Sequence, residues 1–195
     1  MRFTDLAARV RATPPRLGRT RLVAVDGPAG SGKTTFAAAL AAALGSAAHP
    51  APVVHLDDLY DGWTLAGVVQ RLRTQVLDPV AAGHDARFAA YDWAVGAFRV
   101  PTTVPAGEVL LVEGCGSGAR ALDDVRGLLV WVQAPPATCA QRWADRDGAA
   151  MTVFQPAWAA EEAAVFAAED TRARADLRVD GAPAQPAAPG VFVPL

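Results

Sequence analysis

Residues 27–35 carry the most specific chemical signal in the chain. They read Gly27, Pro28, Ala29, Gly30, Ser31, Gly32, Lys33, Thr34 and Thr35, which contains the pattern G-x-x-x-x-G-K-[ST]. Glycines let backbone N–H groups converge on phosphate oxygens, the lysine reaches the β- and γ-phosphates, and the threonine hydroxyl binds Mg²⁺. We therefore predict that this phosphate loop binds ATP and Mg²⁺, rather than forming a glycine-rich turn that binds nothing.

Lys33 is the only lysine in the chain, beside seventeen arginines, and isoleucine and asparagine are absent. The codons of these three residue types begin with two A or T bases, so the composition indicates a GC-rich genome in which arginine has replaced lysine wherever it can. A lysine that survives such pressure is one that arginine cannot replace, which supports a phosphate-binding role for Lys33.

Asp57 and Asp58 follow a short apolar segment, residues 53–56, that we predict to be a strand. In open α/β sheets ligands bind at the carboxyl ends of the strands. Phosphoryl transfer to a hydroxyl needs a carboxylate that accepts the hydroxyl proton, and either aspartate can supply it. The alternative is a helix N-cap with an acid in the first turn, because a helix is predicted shortly afterwards.

Glu113 directly follows another predicted strand, residues 109–112. A carboxylate in that position can hold a magnesium-bound water, as the Walker B acid does in other nucleotide-binding folds. The alternative is a solvated glutamate at a strand end.

Arg142 and Arg146 are four residues apart, so they lie on one face of a predicted helix. Such a pair can stabilise the charge on a phosphoryl group in transfer, although a charged helix end is often solvated surface.

Tyr91, Asp92 and Trp93 place two aromatic rings around an acid. Together they can stack a planar substrate and bind a sugar hydroxyl, or the rings can be part of the core. Elsewhere we expect Trp143 to be a core or helix-packing residue and Glu161 and Glu162 to be solvated acids.

These motifs occur in the order seen in the uridine–cytidine kinase family, a group that also includes pantothenate kinase and phosphoribulokinase-like enzymes. The chain resembles that family in the phosphate loop, in residues 57–60, 91–93 and 113–114, and in Arg146-Asp147. The resemblance implies a phosphotransferase in which Asp57 is the catalytic base and Tyr60, Tyr91 and Asp92 border the acceptor site, with Asp58 and Trp93 beside them. It also implies that Arg142 and Arg146 belong to a lid.

Apolar segments alternate with helical patterns along the chain, which indicates a parallel sheet with crossover helices. The predicted strands are 22–25, 53–56, 109–112, 128–132 and 176–179, and the predicted helices are 1–12, 33–44, 64–77, 137–146 and 158–174. We therefore predict an α/β fold, a three-layer P-loop NTPase sandwich with about five parallel strands and a short lid.

This fold fits a single domain spanning residues 1–195. Residues 1–20 form an N-terminal helix and linker, 142–157 the lid region and 181–195 a tail. The last five residues of the tail form either an added edge strand or a docked segment.

Composition excludes several classes of protein. The 195 residues carry a net charge of -2 and are 52% hydrophobic, which does not fit a disordered chain or a basic nucleic-acid-binding surface. No apolar run approaches the roughly 20 residues of a membrane helix, and two cysteines with three scattered histidines do not form a zinc motif. We expect a cytoplasmic protein whose partner is a small-molecule acceptor, not nucleic acid or membrane, and homo-oligomerisation stays open.

The predicted function is thus an ATP-dependent kinase that phosphorylates a hydroxyl of a nucleoside-like or other small metabolite. The alternatives are a P-loop ATPase or GTPase switch and a non-catalytic nucleotide-binding protein. A guanine-reading Asn/Thr-Lys-x-Asp motif is absent, since the only lysine lies in the phosphate loop.

Overall fold

The computed structural model describes the backbone of residues 1–195 and every side chain except those of residues 149 and 150. The strands are β1 Arg21–Asp26, β2 Val53–His55, β3 Ala86–Asp92, β4 Ala97–Val104, β5 Val109–Glu113, β6 Arg126–Gln133, β7 Leu177–Asp180 and β8 Val193–Pro194. The helices are α1 Phe3–Ala12, α2 Lys33–Leu44, α3 Val68–Leu72, α4 Asp78–Ala81, α5 Pro136–Asp147, α6 Gln155–Glu169 and α7 Thr171–Arg174.

The main sheet has the strand order β2-β5-β1-β6-β7-β8. Its first five members pair in parallel, and β8 joins the edge antiparallel to β7. The predicted α/β sandwich with about five parallel strands is therefore confirmed, and the last residues form the edge strand that was one of the two alternatives.

Helices cover both faces of this sheet because successive strand residues point to opposite sides. In β5, Leu110 and Val112 belong to one apolar core and Val109 and Leu111 to the other. The first core packs under α3, α5 and α6, and the second under α1 and α2, where Phe3, Phe36 and Phe192 meet ring to ring. Among the described residues, no helix has both the length and the apolar character needed to cross a bilayer.

Strands β3 and β4 form a separate antiparallel hairpin that the sequence did not predict. Pro101 lies inside β4, and proline argues against a strand because it cannot donate to a ladder. It is accommodated here because β4 pairs with β3 alone and leaves its other edge free. The turn of this hairpin carries Trp93 toward the carboxyl end of the main sheet.

Two predicted helices have different bounds in the structure. The helix predicted over 64–77 begins at Val68, because Gly67 adopts φ 73° and the Leu65 N–H donates to Glu161 rather than forming a helix turn. It continues through a π-helical turn, Arg73–Leu77, into α4. The helix predicted over 158–174 is divided at Asp170, which has φ 50°. The predicted lid region comprises the end of α5, a 3₁₀ turn at Ala149–Phe154 and the start of α6.

Asp26, the last residue of β1, is completely buried and organises the loops at this end of the sheet. Its Oδ1 accepts hydrogen bonds from the N–H groups of Gly27 and Gly116, and its Oδ2 accepts one from Gly118. Burial raises the pKa of Asp26 to about 6, because these hydrogen bonds and the charge of Lys33 offset only part of the desolvation cost. One carboxylate thus joins the start of the phosphate loop to the loop after β5.

We expect Asp26→Ala to lower the melting temperature by about 6 °C or more, while removal of the exposed Asp61 leaves it unchanged. The variant strands three N–H groups without acceptors, each costing about 1–3 kcal/mol, and about 1 kcal/mol shifts a domain of this size by about 2–4 °C. Calorimetry at pH 7 measures the effect. An unchanged melting temperature would mean that water replaces the carboxylate at no cost.

The raised pKa of Asp26 also predicts a pH dependence of stability. Between about pH 4 and pH 6 the folded state keeps a proton that the unfolded state has lost, so the free energy of unfolding contributed by this group falls as pH rises through that window. Asp26→Asn removes this contribution. The free energy of unfolding of the wild type minus that of the variant should therefore be smaller, or of opposite sign, above about pH 6 than below about pH 4.

Candidate active site

A cavity of about 910 Å³ lies at the carboxyl ends of β1, β2 and β5. Thirteen of the residues predicted to form the site line this cavity: Ala29, Gly30, Gly32, Lys33, Thr34, Thr35, Asp57, Asp58, Tyr60, Trp93, Glu113, Arg142 and Arg146. The other five, Gly27, Pro28, Ser31, Tyr91 and Asp92, lie outside its lining. The structure thus brings together most of the residues that the sequence motifs indicate.

The phosphate loop joins β1 to α2 and has a backbone shape that only glycine permits. A Cβ at Gly27 would lie 2.0 Å from the Val132 carbonyl oxygen, and one at Gly30 would lie 2.4 Å from that of Cys139. Both glycines have positive φ, so the loop curves tightly in front of the first turn of α2. Backbone N–H groups and a helix N-terminus arranged in this way form a cradle for phosphate oxygens.

Lys33, at the first position of α2, is buried with its side chain folded over the loop. Its Nζ donates a hydrogen bond to the Pro28 carbonyl oxygen at 2.9 Å and lies 3.7 Å from the Cys115 sulfur. The ammonium group therefore sits inside the curve of the phosphate loop, where a phosphate oxygen can exchange for the Pro28 carbonyl.

Glu113 is 5% exposed and joins the phosphate loop to the end of β2. Its Oε1 accepts a hydrogen bond from the Thr34 hydroxyl at 3.0 Å and lies 2.7 Å from His55 Nδ1. Burial opposes ionisation, but His55, Lys33 and Thr34 outweigh it and lower the pKa of Glu113. The hydrogen bond to Glu113 raises the pKa of His55. A carboxylate beside a hydroxyl is the hard oxygen donor set that Mg²⁺ prefers, so these residues fit that ion.

Asp57 and Asp58 lie in a single 3₁₀ turn, Leu56–Asp58, that follows β2 directly. The helix-cap alternative is not supported, because among the described residues α3 is preceded by Gly67 and neither carboxylate caps a helix. Asp57 opens onto the cavity, and its enclosed setting together with the charge of Glu113 raises its pKa. Burial also raises the pKa of Asp58. These are carboxylates that gain a proton more readily than a solvated aspartate does.

Arg142 and Arg146 project from the last turns of α5 into the cavity. The Arg142 guanidinium donates to the carbonyl oxygens of Gly30 and Gly181, at 3.1 Å each, and so links the phosphate loop to the segment after β7. Arg146 donates to both carboxylate oxygens of Asp147 at 2.7 and 2.8 Å and lies over the ring of Trp143. The pair therefore flanks the phosphate loop from the lid side.

Five aromatic residues form one wall of the cavity, and we refer to them as the aromatic wall: Trp63, Trp93, Trp143, Phe154 and Trp158. Trp63 is at its centre, with ring centroids 4.9 Å from Trp93, 5.3 Å from Trp143, 5.2 Å from Phe154 and 6.0 Å from Trp158. The sequence indicated only Trp93 as a site residue, and Trp143 was expected to be a packing residue. Trp143 does pack in the core, but it also lines the cavity.

Tyr91 and Asp92 support the hairpin rather than the cavity lining. The Asp92 carboxylate accepts a hydrogen bond from the Ala94 N–H at 3.0 Å and lies 3.6 Å from Arg99. Tyr91 packs edge-on against Trp93 and Phe98. Trp93 in turn donates from Nε1 to the Asp57 carbonyl oxygen at 3.2 Å, so the hairpin contacts the turn that carries the two aspartates.

Glu161 and Glu162 are not the solvated acids that the sequence indicated. The Glu162 carboxylate, 7% exposed, accepts hydrogen bonds from the Ala29 N–H, the Trp158 indole N–H and the Cys115 thiol. Glu161 accepts hydrogen bonds from the Thr64 hydroxyl and the Leu65 N–H. Helix α6 therefore contacts both the phosphate loop and the segment after Asp58. From sequence alone, two adjacent acids in a helix are predicted to be solvent-exposed, and only the packing of the helix shows that they are not.

Comparison with known proteins adds to this geometry. The AAA_18 family, described as an AAA domain, matches residues 23–163. No curated protein matches the chain. A proposed uridine kinase from Bacillus stearothermophilus has a similar structure, with TM-score 0.61 and 18% identity, covering 90% of this chain and 96% of that one. A proposed fructose transport system kinase from Silicibacter sp. TM1040 has TM-score 0.58 and 24% identity, covering 91% of this chain and 98% of that one.

At such identities the structural likeness shows a shared fold, and both similar structures are described as kinases. The family match is independent of that likeness and spans well over half of the chain. The chain therefore belongs to the AAA_18 family of AAA domains, and its fold is that of the P-loop kinases.

Proposed function

We propose that this protein is an ATP-dependent small-molecule kinase that transfers the γ-phosphate of Mg-ATP to a hydroxyl group of a small acceptor, nucleoside-like or otherwise. The observation that carries the proposal is one cavity with two different ends. We call the part lined by the phosphate loop and Lys33 the nucleotide end, and the part lined by Asp57, whose carbonyl oxygen accepts a hydrogen bond from Trp93, the acceptor end. A nucleotide switch needs only the nucleotide end, whereas a transferase also needs the acceptor end.

The nucleotide end supplies charge and positioning. The N–H groups of the phosphate loop and the Lys33 ammonium would bind the β- and γ-phosphates. Thr34 and Glu113 would hold Mg²⁺, which neutralises phosphate charge when it is bound. Two carboxylates hold the loop in place: Glu162 accepts a hydrogen bond from the Ala29 N–H, and Asp26 accepts one from the Gly27 N–H.

Asp57 supports the chemical step at the other end. Its carboxylate would accept the proton of the acceptor hydroxyl as the acceptor oxygen bonds to the γ-phosphorus and ADP leaves. Its raised pKa suits this role, because a base is most effective when its pKa lies nearer to the working pH. Arg142 and Arg146 flank the phosphate loop, where guanidinium groups would stabilise the charge that develops during transfer.

We expect Asp57→Asn to lower kcat by about 10²–10⁴-fold with little change in ATP affinity, because asparagine keeps the shape but cannot accept a proton. Wild-type kcat should fall as pH drops through the Asp57 pKa, and it should begin to fall at a higher pH than an ordinary aspartate would allow. Acceptor phosphorylation from pH 4 to pH 8 measures both effects.

Asp58→Asn is the matched control for Asp57→Asn, since the two aspartates share one turn, and a smaller loss is expected. A large loss at Asp58 with none at Asp57 would assign the base to Asp58. Full activity in both variants, with unchanged melting temperatures, would contradict general-base catalysis at this turn and favour a nucleotide switch.

Lys33→Arg should abolish ATP turnover without unfolding the protein. The buried ammonium fits inside the phosphate loop as a compact charge, whereas a planar guanidinium is bulkier and bonds in a fixed fork. ADP release and circular dichroism are the readouts, with the exposed Arg9→Lys as a control. Near wild-type turnover in Lys33→Arg would contradict the assignment of the phosphate loop.

Arg146→Ala should lower kcat by about 10-fold or more while leaving ATP affinity within about 3-fold, because transition-state charge is stabilised during transfer and not in the ground state. Arg2→Ala is the control, since Arg2 is also paired with a nearby aspartate, Asp5, but directly precedes α1 and is not part of the cavity lining. Equal kcat in the two variants would contradict a role for Arg146 in stabilising the transferring phosphoryl group.

A further inference from the structure

We propose that the acceptor end of the cavity selects an alcohol with a flat, apolar body and no anionic group. This inference rests on the proposed kinase function and narrows its substrate class. Four features of the cavity support it: its rings, its exposed apolar rim, which shares Trp93 and Phe154 with those rings, the state of its charged groups and the polar groups of its lining.

The aromatic wall offers mainly ring surface, and the buried indole N–H of Trp143 is a donor in it that has no hydrogen-bond partner among the described residues. Trp63 lies nearly parallel to Phe154, with 11° between the ring planes, and within 27° of Trp143. Stacked layers of this kind accept a further flat apolar group with little reorganisation, since offset stacking is the preferred aromatic arrangement. The ring of Trp93 adds a second surface at an angle to the first.

The rim of the cavity exposes large apolar side chains to solvent. Trp93 is 42% exposed, and Met151 and Phe154 from the lid region are each 39% exposed. All three line the cavity, and two of them lie on the segment that borders its mouth. Apolar groups clustered at the mouth of a cavity are costly in water and are typical of a binding site that covers them with an apolar ligand.

The charges at the acceptor end disfavour an anionic acceptor. Asp57 and Asp58 lie there, and a phosphate or carboxylate on the acceptor would add negative charge beside them. The cavity's basic residues are engaged elsewhere: Lys33 bonds to Pro28, Arg142 to Gly30 and Gly181, and Arg146 to Asp147. The proposed function assigns these three cations to the phosphates of ATP, so an acidic acceptor would compete with the nucleotide for them.

Most polar groups of the lining are charged or already hydrogen-bonded within the protein, which leaves few neutral partners for a nucleobase or a polyol. No amide side chain is among the described residues that line this cavity. Nδ1 of His55 is committed to Glu113. A polar acceptor would lose its water against aromatic rings without gaining replacement hydrogen bonds, and each unpaired polar group costs free energy. An alcohol with an apolar ring system and a single hydroxyl near Asp57 avoids both costs, because it has no other polar group to desolvate and no negative charge to place beside the aspartates.

Calorimetric binding to the full chain in the presence of a non-hydrolysable ATP analogue and Mg²⁺ tests this selectivity. The probes are 2-(2-naphthyl)ethanol, its anionic counterpart 2-naphthylacetate, fructose and uridine. We expect naphthylethanol to bind at least 10-fold more tightly than each of the other three. Trp63→Ala should weaken its binding by about 10-fold, whereas Trp131→Phe, which changes a tryptophan outside the cavity lining, should not. If Trp63→Ala does not fold, Trp93→Ala at the exposed rim tests the same surface.

Tighter binding of uridine, fructose or naphthylacetate, or an unchanged affinity in both wall variants, would overturn the inference. Transfer assays on the same probes with ATP separate this result from failure of the proposed function. Phosphorylation of uridine or fructose alone would sustain the kinase and overturn the selectivity. Selective naphthylethanol binding without phosphorylation of any alcohol would sustain the selectivity and contradict the kinase.

Discussion

The buried carboxylate of Glu113 is the contact on which the geometry of the site depends. It lies at the end of β5, between β1 and β2, and bonds both to Thr34 of the phosphate loop and to His55, two residues before Asp57. One side chain therefore fixes the nucleotide end of the cavity relative to the turn that carries the aspartates. In-line phosphoryl transfer requires the two ends to be held at a defined separation, and a buried, doubly bonded carboxylate holds it more rigidly than surface loops can.

Helix α6 provides the second connection between the two ends. Glu162 bonds to the N–H of Ala29 in the phosphate loop, and Glu161 bonds to the Leu65 N–H beyond the aspartate turn. Helix α6 directly follows the 3₁₀ turn Ala149–Phe154, so the predicted lid region is continuous with the helix that makes both contacts. Glu113 and α6 thus both connect the phosphate loop to the segments that flank the aspartate turn.

The phosphate loop, the five parallel strands and the strand-end acids could be predicted from the sequence because each is a local pattern. Gly27 to Thr34 specify their own backbone shape, and Asp57 and Glu113 follow apolar runs whose ends meet at one edge of a parallel sheet. The aromatic wall could not be predicted, because Trp63, Phe154 and Trp158 come from segments that only the tertiary fold brings together. The hairpin was not predicted because Pro101 argues against a strand. The roles of Glu161 and Glu162 were not predicted because they depend on which face of α6 packs against the rest of the fold.

The central claim is transfer of the γ-phosphate to an alcohol, and the fate of that phosphate tests it most directly. The wild-type protein would be incubated with Mg²⁺ and ATP labelled at the γ-phosphorus, with and without a panel of alcohols, and the labelled products separated. The account predicts that an alcohol accelerates ADP formation and that the label appears in its phosphate ester. Label found only in inorganic phosphate, at a rate that no alcohol changes, would contradict the account and identify a nucleotide hydrolase.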